Sequence, residues 1–220
     1  MKERGMIFNG EMVRAILDGR KTQTRRIMAP QPADDIERGI FPNPEAIGWK
    51  SSLRHKHGST TAHFCPYGKP GDRIWVREAF RVHSRATDVA TLVYKASERN
   101  SWTEQTRRVP VAVCNKPATP EKWTPSLHMP RWASRILLEI TDVRVERLNA
   151  ISEEDARAEG IIDGGCLNCG EPEPCGCANP DPDATDAFAY LWQSIYGQEN
   201  WNANPWVWAI SFERIEGGEA

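Results

Sequence analysis

The chain has 220 residues, 40% of them apolar and 26% charged, enough to bury a core and unlike a disordered chain. No run approaches the ~18 uninterrupted apolar residues of a membrane span. Met1-Lys2-Glu3-Arg4-Gly5-Met6 opens no signal-peptide run, so a cytoplasmic protein with no membrane partner is expected.

Helix periodicity begins at Glu11–Leu17, where Met12, Val13, Ile16 and Leu17 share a face, and Asp18-Gly19 stops it. A dense polar run follows, Gly19-Arg20-Lys21-Thr22-Gln23-Thr24-Arg25-Arg26. Residues 29–70 show no period and read as a long decorated loop. Arg73–Phe80 and Leu92–Lys95 read as strands. Residues 97–130, with five prolines from Pro110 to Pro130, read as irregular. Ser134–Leu148 is the strongest strand. Its alternation changes parity near Thr141-Asp142, as a bulge requires. Ser152-Glu153-Glu154-Asp155 reads as a capping box opening a short helix that ends at Glu159-Gly160. A second helix is expected at about Thr185–Ile195, and a last strand at Trp206–Phe212. Strands outnumber helices without βαβ alternation, which predicts a mixed α+β fold built on a small β-barrel with flanking helices.

The net charge of −2 hides an asymmetry: residues 1–150 hold 26 basic and 16 acidic side chains, and residues 151–220 hold 2 and 14. The first segment suits phosphate-bearing partners, unless the two segments neutralise each other in one fold. A Lys crowded by Arg and desolvated loses basicity and becomes a base near neutral pH. Lys21 beside Thr24, Arg25 and Arg26 fits that description, and a Thr hydroxyl needs such a base to attack a carbonyl. A solvated basic loop or a phosphate clamp accounts for the same residues. Glu159 acquires meaning only if folding carries it to Lys21.

The run Gly19-Arg20-Lys21-Thr22-Gln23-Thr24-Arg25-Arg26 resembles the signature of the ASCH domain, a PUA-like β-barrel family, of the form G-x-K-x-x-(E/T)-x-R. The likeness extends to the order of helix, motif, Gly71-Asp72, long strand, Ser152–Glu159 helix and final strand, about half of the chain. It implies a single domain carrying insertions at about 29–70, 97–130 and 163–183. It also implies a metal-independent amidohydrolase of the N(4)-acetylcytidine or N(4)-acylcytosine type, akin to the larger phage- and metagenome-type members. Lys21, Thr24 and Glu159 would form its catalytic set. Thr24 would attack with Lys21 as its base, or Glu159 would activate water while Thr24 binds substrate. Arg26, or a backbone N–H, would face the oxyanion. Arg25, Trp75, Arg131 and Trp132 are the expected contacts to a modified cytosine nucleoside; for Trp75 and Trp132 core packing is the alternative. Glu153 and Glu154 are weaker candidates for the acid.

Two further expectations are independent of that set. Cys166, Cys169, Cys175 and Cys177 follow C-x2-C-x5-C-x-C on Gly-rich turns, which points to a closed structural zinc site with no catalytic position; a reduced, metal-free loop is the alternative, since the spacing is not a common finger pattern. Cys65, with His57 and His63 nearby, and Cys114 read as isolated thiols. The basic excess keeps open a different class of function: a PUA-like module binding RNA or a modified nucleotide, with or without ribonuclease activity.

Overall fold

A computed structural model describes residues 1–32, 36–40, 50–55, 60–162 and 184–215; the four clustered cysteines and His57 lie outside them. Chain order runs β1 (Glu3–Ile7), α1 (Gly10–Leu17), β2 (Gln23–Ile27), β3 (Ile36–Ile40), β4 (Lys50–His55), β5 (Thr60–Phe64), β6 (Arg73–Arg77), β7 (Phe80–Arg85), β8 (Val89–Tyr94), α2 (Trp102–Gln105) and β9 (Thr106–Pro110). It continues through β10 (Leu137–Arg147), α3 (Glu153–Ala158), α4 (Ala184–Tyr196), α5 (Gln198–Asn202) and β11 (Trp206–Arg214). The fold is mixed α/β, and the described strands close no barrel. No described helix is long and apolar enough to cross a membrane.

Local chemistry accounts for the helix ends. Asn9 caps α1 by accepting from the Met12 amide at 2.8 Å, and Val13, Ala15 and Ile16 form its buried stripe. Ser152 caps α3 by accepting from the Asp155 amide at 3.2 Å; the side-chain oxygen satisfies an amide that the first helical turn leaves unpaired. Gly160, at φ +88°, ends α3 immediately after Glu159, in a backbone conformation that a side chain would strain.

The described chain forms two compact units interleaved in sequence. The first takes Met1–Asp18, Asp72–Glu139 and the described residues from Glu213. In it β1 runs parallel to β6, and β6 pairs antiparallel with the start of β10. A separate antiparallel sheet has the order β7-β8-β9. Phe80, Val82, Leu92, Tyr94 and Val109 line its inner face, together with Met129 and Ala133.

The second unit takes the described residues of Gly19–Gly71 and Ile140–Phe212. It carries the rest of β10, β11 and β2, with β11 antiparallel to β2. Leu148, Ile151, Ala156, Phe188, Trp192 and Val207 form its core under α3 and α4. Along β10 the buried parity passes from Leu138 and Ile140 to Val143 and Val145, as the alternation of the sequence requires. Trp206 and Trp208 are buried, in keeping with a core role.

Two stretches expected to be irregular each contain strand structure. Within residues 29–70, β3, β4 and β5 form an antiparallel meander. Its middle strand, Lys50-Ser51-Ser52-Leu53-Arg54-His55, has one apolar residue, so no alternation announces it. Within residues 97–130, β9 pairs with β8; Thr106-Arg107-Arg108-Val109-Pro110 is masked in sequence by its charges and its terminal proline.

Candidate active site

The segment that leaves α1 passes beside the end of α3. The Thr22 amide donates to Ala158 O at 2.8 Å, the Phe212 amide to Thr22 O at 2.8 Å, and Arg20 to Gly160 O at 3.0 Å. These bonds, with a bridge between Lys21 and Glu159, bring the two residues together across 138 positions. Lys21 Nζ donates to Glu159 Oε2 at 2.6 Å and to the Glu159 carbonyl at 2.8 Å. Both side chains are almost wholly buried, at 0% and 4% exposure.

Burial holds the Lys21 amine below its ordinary value of 10.5, outweighing the Glu159 carboxylate, which favours the charged form; Arg26 and Arg25 lower it further. A buried ammonium loses its hydration, and neighbouring guanidiniums repel it. When deprotonated, the amine is a proton acceptor, still tethered by hydrogen bonds it can donate in either state.

Arg25 organises the rest. Its five N–H groups all go to protein acceptors: Nε and Nη2 to Glu146 at 2.9 and 2.5 Å, Nη2 also to Asp155 at 2.9 Å, and Nη1 to Gln23 at 2.5 Å and Glu159 Oε1 at 3.3 Å. Arg25 was expected to bind substrate; in the structure every donor is engaged by the protein and its side chain is 0% exposed. Gln23 donates to Asp155 and to Ser211, both at 3.2 Å. Arg144 donates to both Asp155 oxygens at 3.1 Å. The cluster therefore sets Lys21, Arg25 and Arg144 against Glu146, Asp155 and Glu159.

Successive strand residues face opposite sides, so Thr24 points away from Gln23 and Arg25. Its hydroxyl is buried and has no hydrogen-bond partner among the described residues, Lys21 included. Arg26 follows on β2 and is half-buried. No family model, no curated protein and no solved structure matches this chain. The site therefore has to be read from its own chemistry.

The remaining expected contacts belong to the first unit. Trp75 lies over Gly5: a Cβ at Gly5 would meet the indole at 2.5 Å, so glycine is what lets the ring lie flat there. The Arg77 guanidinium sits 5.4 Å from the centroid of the Trp75 ring. Arg131 donates to Glu3 at 2.9 Å. Trp132 meets Phe80 edge-on at 6.3 Å and packs on the core. Glu153 accepts from the amides of Ala184 and Thr185 at the start of α4, and Glu154 is exposed, so neither shares the acid position with Glu159. Among the described residues no group of His, Cys, Asp and Glu is arranged to hold a metal, and Cys65 and Cys114 are buried.

Sequence reasoning missed Gln23, Asp155, Glu146 and Arg144. The available signal was parity: Gln23 and Arg25 occupy one face of a strand whose neighbours are buried, and a buried guanidinium requires carboxylates.

Proposed function

We propose that this chain is an amidohydrolase that removes the acyl group from the exocyclic amine of N(4)-acylated cytosine or cytidine, on a PUA-like scaffold of the ASCH type. The observation that carries the reading is the buried contact of Lys21 Nζ with Glu159 at 2.6 Å, with the basicity of the amine lowered by burial. The motif Gly19–Arg26 supplies the substrate class by resemblance.

In this reading the Lys21 amine accepts the Thr24 hydroxyl proton as Oγ1 attacks the acyl carbon. Arg26 faces the oxyanion. The C–N bond breaks as the proton passes, by way of the Lys21–Glu159 pair, to the cytosine amine. Water then cleaves the Thr24 ester and releases the carboxylate. Arg25 keeps Glu159 aimed at Lys21. A second reading draws on the absence of a hydrogen bond between Thr24 and Lys21: water activated at Glu159 attacks, and Thr24 only binds the acyl oxygen.

The test is incubation of the chain with N(4)-acetylcytidine, following the ultraviolet change to cytidine. Activity is expected. Thr24→Ser should retain part of it and Thr24→Val none if the hydroxyl attacks. Substantial turnover by Thr24→Val selects the water route. No turnover by the wild-type chain on acylated cytosine, cytidine or RNA, together with salt-sensitive RNA binding, supports the binding-module reading. Cys166, Cys169, Cys175 and Cys177 are proposed as ligands of a structural zinc. One zinc per chain by metal analysis is expected, with a chelator lowering thermal stability and leaving turnover of the folded enzyme intact.

A further inference from the structure

The first unit carries a cavity of about 690 Å³, within the roughly 300–1,000 Å³ of small-molecule sites. Four arginines line it: Arg107 on β9, Arg131 and Arg135 ahead of β10, and Arg214 at the end of β11. Between the cations Leu17, Leu137 and Ile215 supply an apolar wall. Bonds across the cavity hold its sides together: the Ile215 amide donates to Leu137 O at 2.9 Å, and Arg214 Nη1 donates to Leu17 O at 3.5 Å. Every lining residue belongs to the first unit.

The four guanidiniums are unequally spent. Arg135 gives its donors to Glu78, Ser97 and the Glu104 carbonyl, so it stands as a fixed wall. Arg107 Nη1 donates to Ser134 O. Arg131 and Arg214 each make one side-chain hydrogen bond among the described residues, to Glu3 and to Leu17. A guanidinium carries five N–H donors, so most of theirs remain for a ligand. The Arg131–Glu3 pair is open to water on both sides, and such a pair holds weakly against a competing anion. Two carboxylates, Asp18 and Glu104, also line the cavity against the four cations. The field of the unit is positive: residues 1–18 and 72–139 hold 15 Lys and Arg against 10 Asp and Glu, which favours an anion.

We infer that this cavity binds a small organic polycarboxylate, with two or more carboxylates on a short carbon skeleton. The planar guanidinium fork matches a carboxylate through paired N–H donors. The spare donors come from separate segments of the chain, so separate anionic ends meet separate arginines. The apolar wall between them covers the carbon skeleton, a surface for which a compact inorganic anion has no use. The site lies wholly in the first unit and does not depend on the amidohydrolase reading.

The experiment is titration calorimetry of the full chain with tricarballylate at low salt. Saturable binding at a single site per chain is expected, weakening as salt is added. Arg107→Gln and Arg214→Gln should each weaken it by about tenfold, as loss of a charge-assisted contact does. Glu104→Gln removes a like charge from the lining and should tighten binding by about twofold. Arg214 is exposed, so its variant folds and decides the matter even if Arg107→Gln does not. No saturable binding by the wild-type chain overturns the proposal, and so does binding by Arg214→Gln equal to wild type. Pyrophosphate binding as tightly as tricarballylate overturns the choice of a carboxylate ligand, and acetate competing equally overturns the requirement for more than one carboxylate.

Discussion

Two of the acid–base clusters buried among the described residues differ in what can be taken from them. In the first unit Glu78, 2% exposed, is gripped by Arg135 through two hydrogen bonds at 2.9 and 3.1 Å. Ser97 takes a further Arg135 donor at 2.8 Å, and the guanidinium lies 4.1 Å from the Tyr94 ring centroid. In the second unit Lys21 meets Glu159, with Arg25 behind the carboxylate. A guanidinium keeps its proton at any ordinary pH, so Arg135 can only hold Glu78. A buried ammonium can release its proton, so Lys21 can work. On the proposed reading, what separates a strut from a reaction centre is one cation type.

The largest effect follows from exchanging that cation. Lys21→Arg keeps a positive charge beside Glu159 and removes the dissociable proton. Turnover of N(4)-acetylcytidine should fall by about 10³-fold, within the range a positioned acid–base group contributes, while urea unfolding still shows one cooperative transition. Arg135→Lys in the first unit should lower stability and leave turnover within about twofold of wild type. Near-normal turnover by Lys21→Arg would mean that the second cluster, like the first, is only structural. In the active enzyme the acid limb of the kcat profile should report a base below 10.5, because burial lowers the Lys21 amine, and this limb is the signature a structural lysine would not give.

The next effect removes one carboxylate from each cluster. Breaking a buried pair by neutralising one partner costs about 3–5 kcal/mol. Glu159→Gln should lower the unfolding free energy by an amount in that range, read as a lower urea midpoint at an unchanged m-value, and Glu78→Gln by less, because its ionised carboxyl already carries a burial penalty. Only Glu159→Gln should also reduce turnover. Equal activity in the two variants removes Glu159 from the chemistry and leaves it as a packing group.

The two clusters were unequally legible in the sequence. Lys21 stood out because three cations crowd one short run, whereas Glu159 was unremarkable alone and was singled out only by its place in the resemblance, in the helix after the long strand. Their meeting across 138 positions could not be read from periodicity, since it depends on backbone bonds from Thr22 to Ala158 and from Phe212 to Thr22. Glu78 and Arg135 gave no signal at all, because each sits next to a strand among many other charges. The same limit hid β3–β5 and β9. Strands whose side chains are charged or hydroxylated do not alternate in hydropathy, and pairing partners rather than local pattern define them.

The smallest effect separates carboxylates by sign. Burial pushes the Asp155 carboxyl up, but the Arg25 and Arg144 guanidiniums, with hydrogen bonds from Arg144 and Gln23, together hold it below its ordinary 3.8. Its folded value is therefore the lower one. The stabilisation it gives is fully present above 3.8 and is lost as pH falls through the folded value. Burial instead raises Glu78 above its ordinary 4.5, against the pull of Arg135, so the penalty it carries is relieved as pH falls through its own folded value. Asp155→Asn should accordingly flatten the loss of stability seen by urea unfolding from about pH 5 downward, and Glu78→Gln should steepen it. An acid limb unaltered by Asp155→Asn would show that the exposed edge of the carboxylate is solvated well enough to titrate as it does in the unfolded chain. In that case Arg25 would be held by Glu146 and Glu159, without an ionic contribution from α3's first turn.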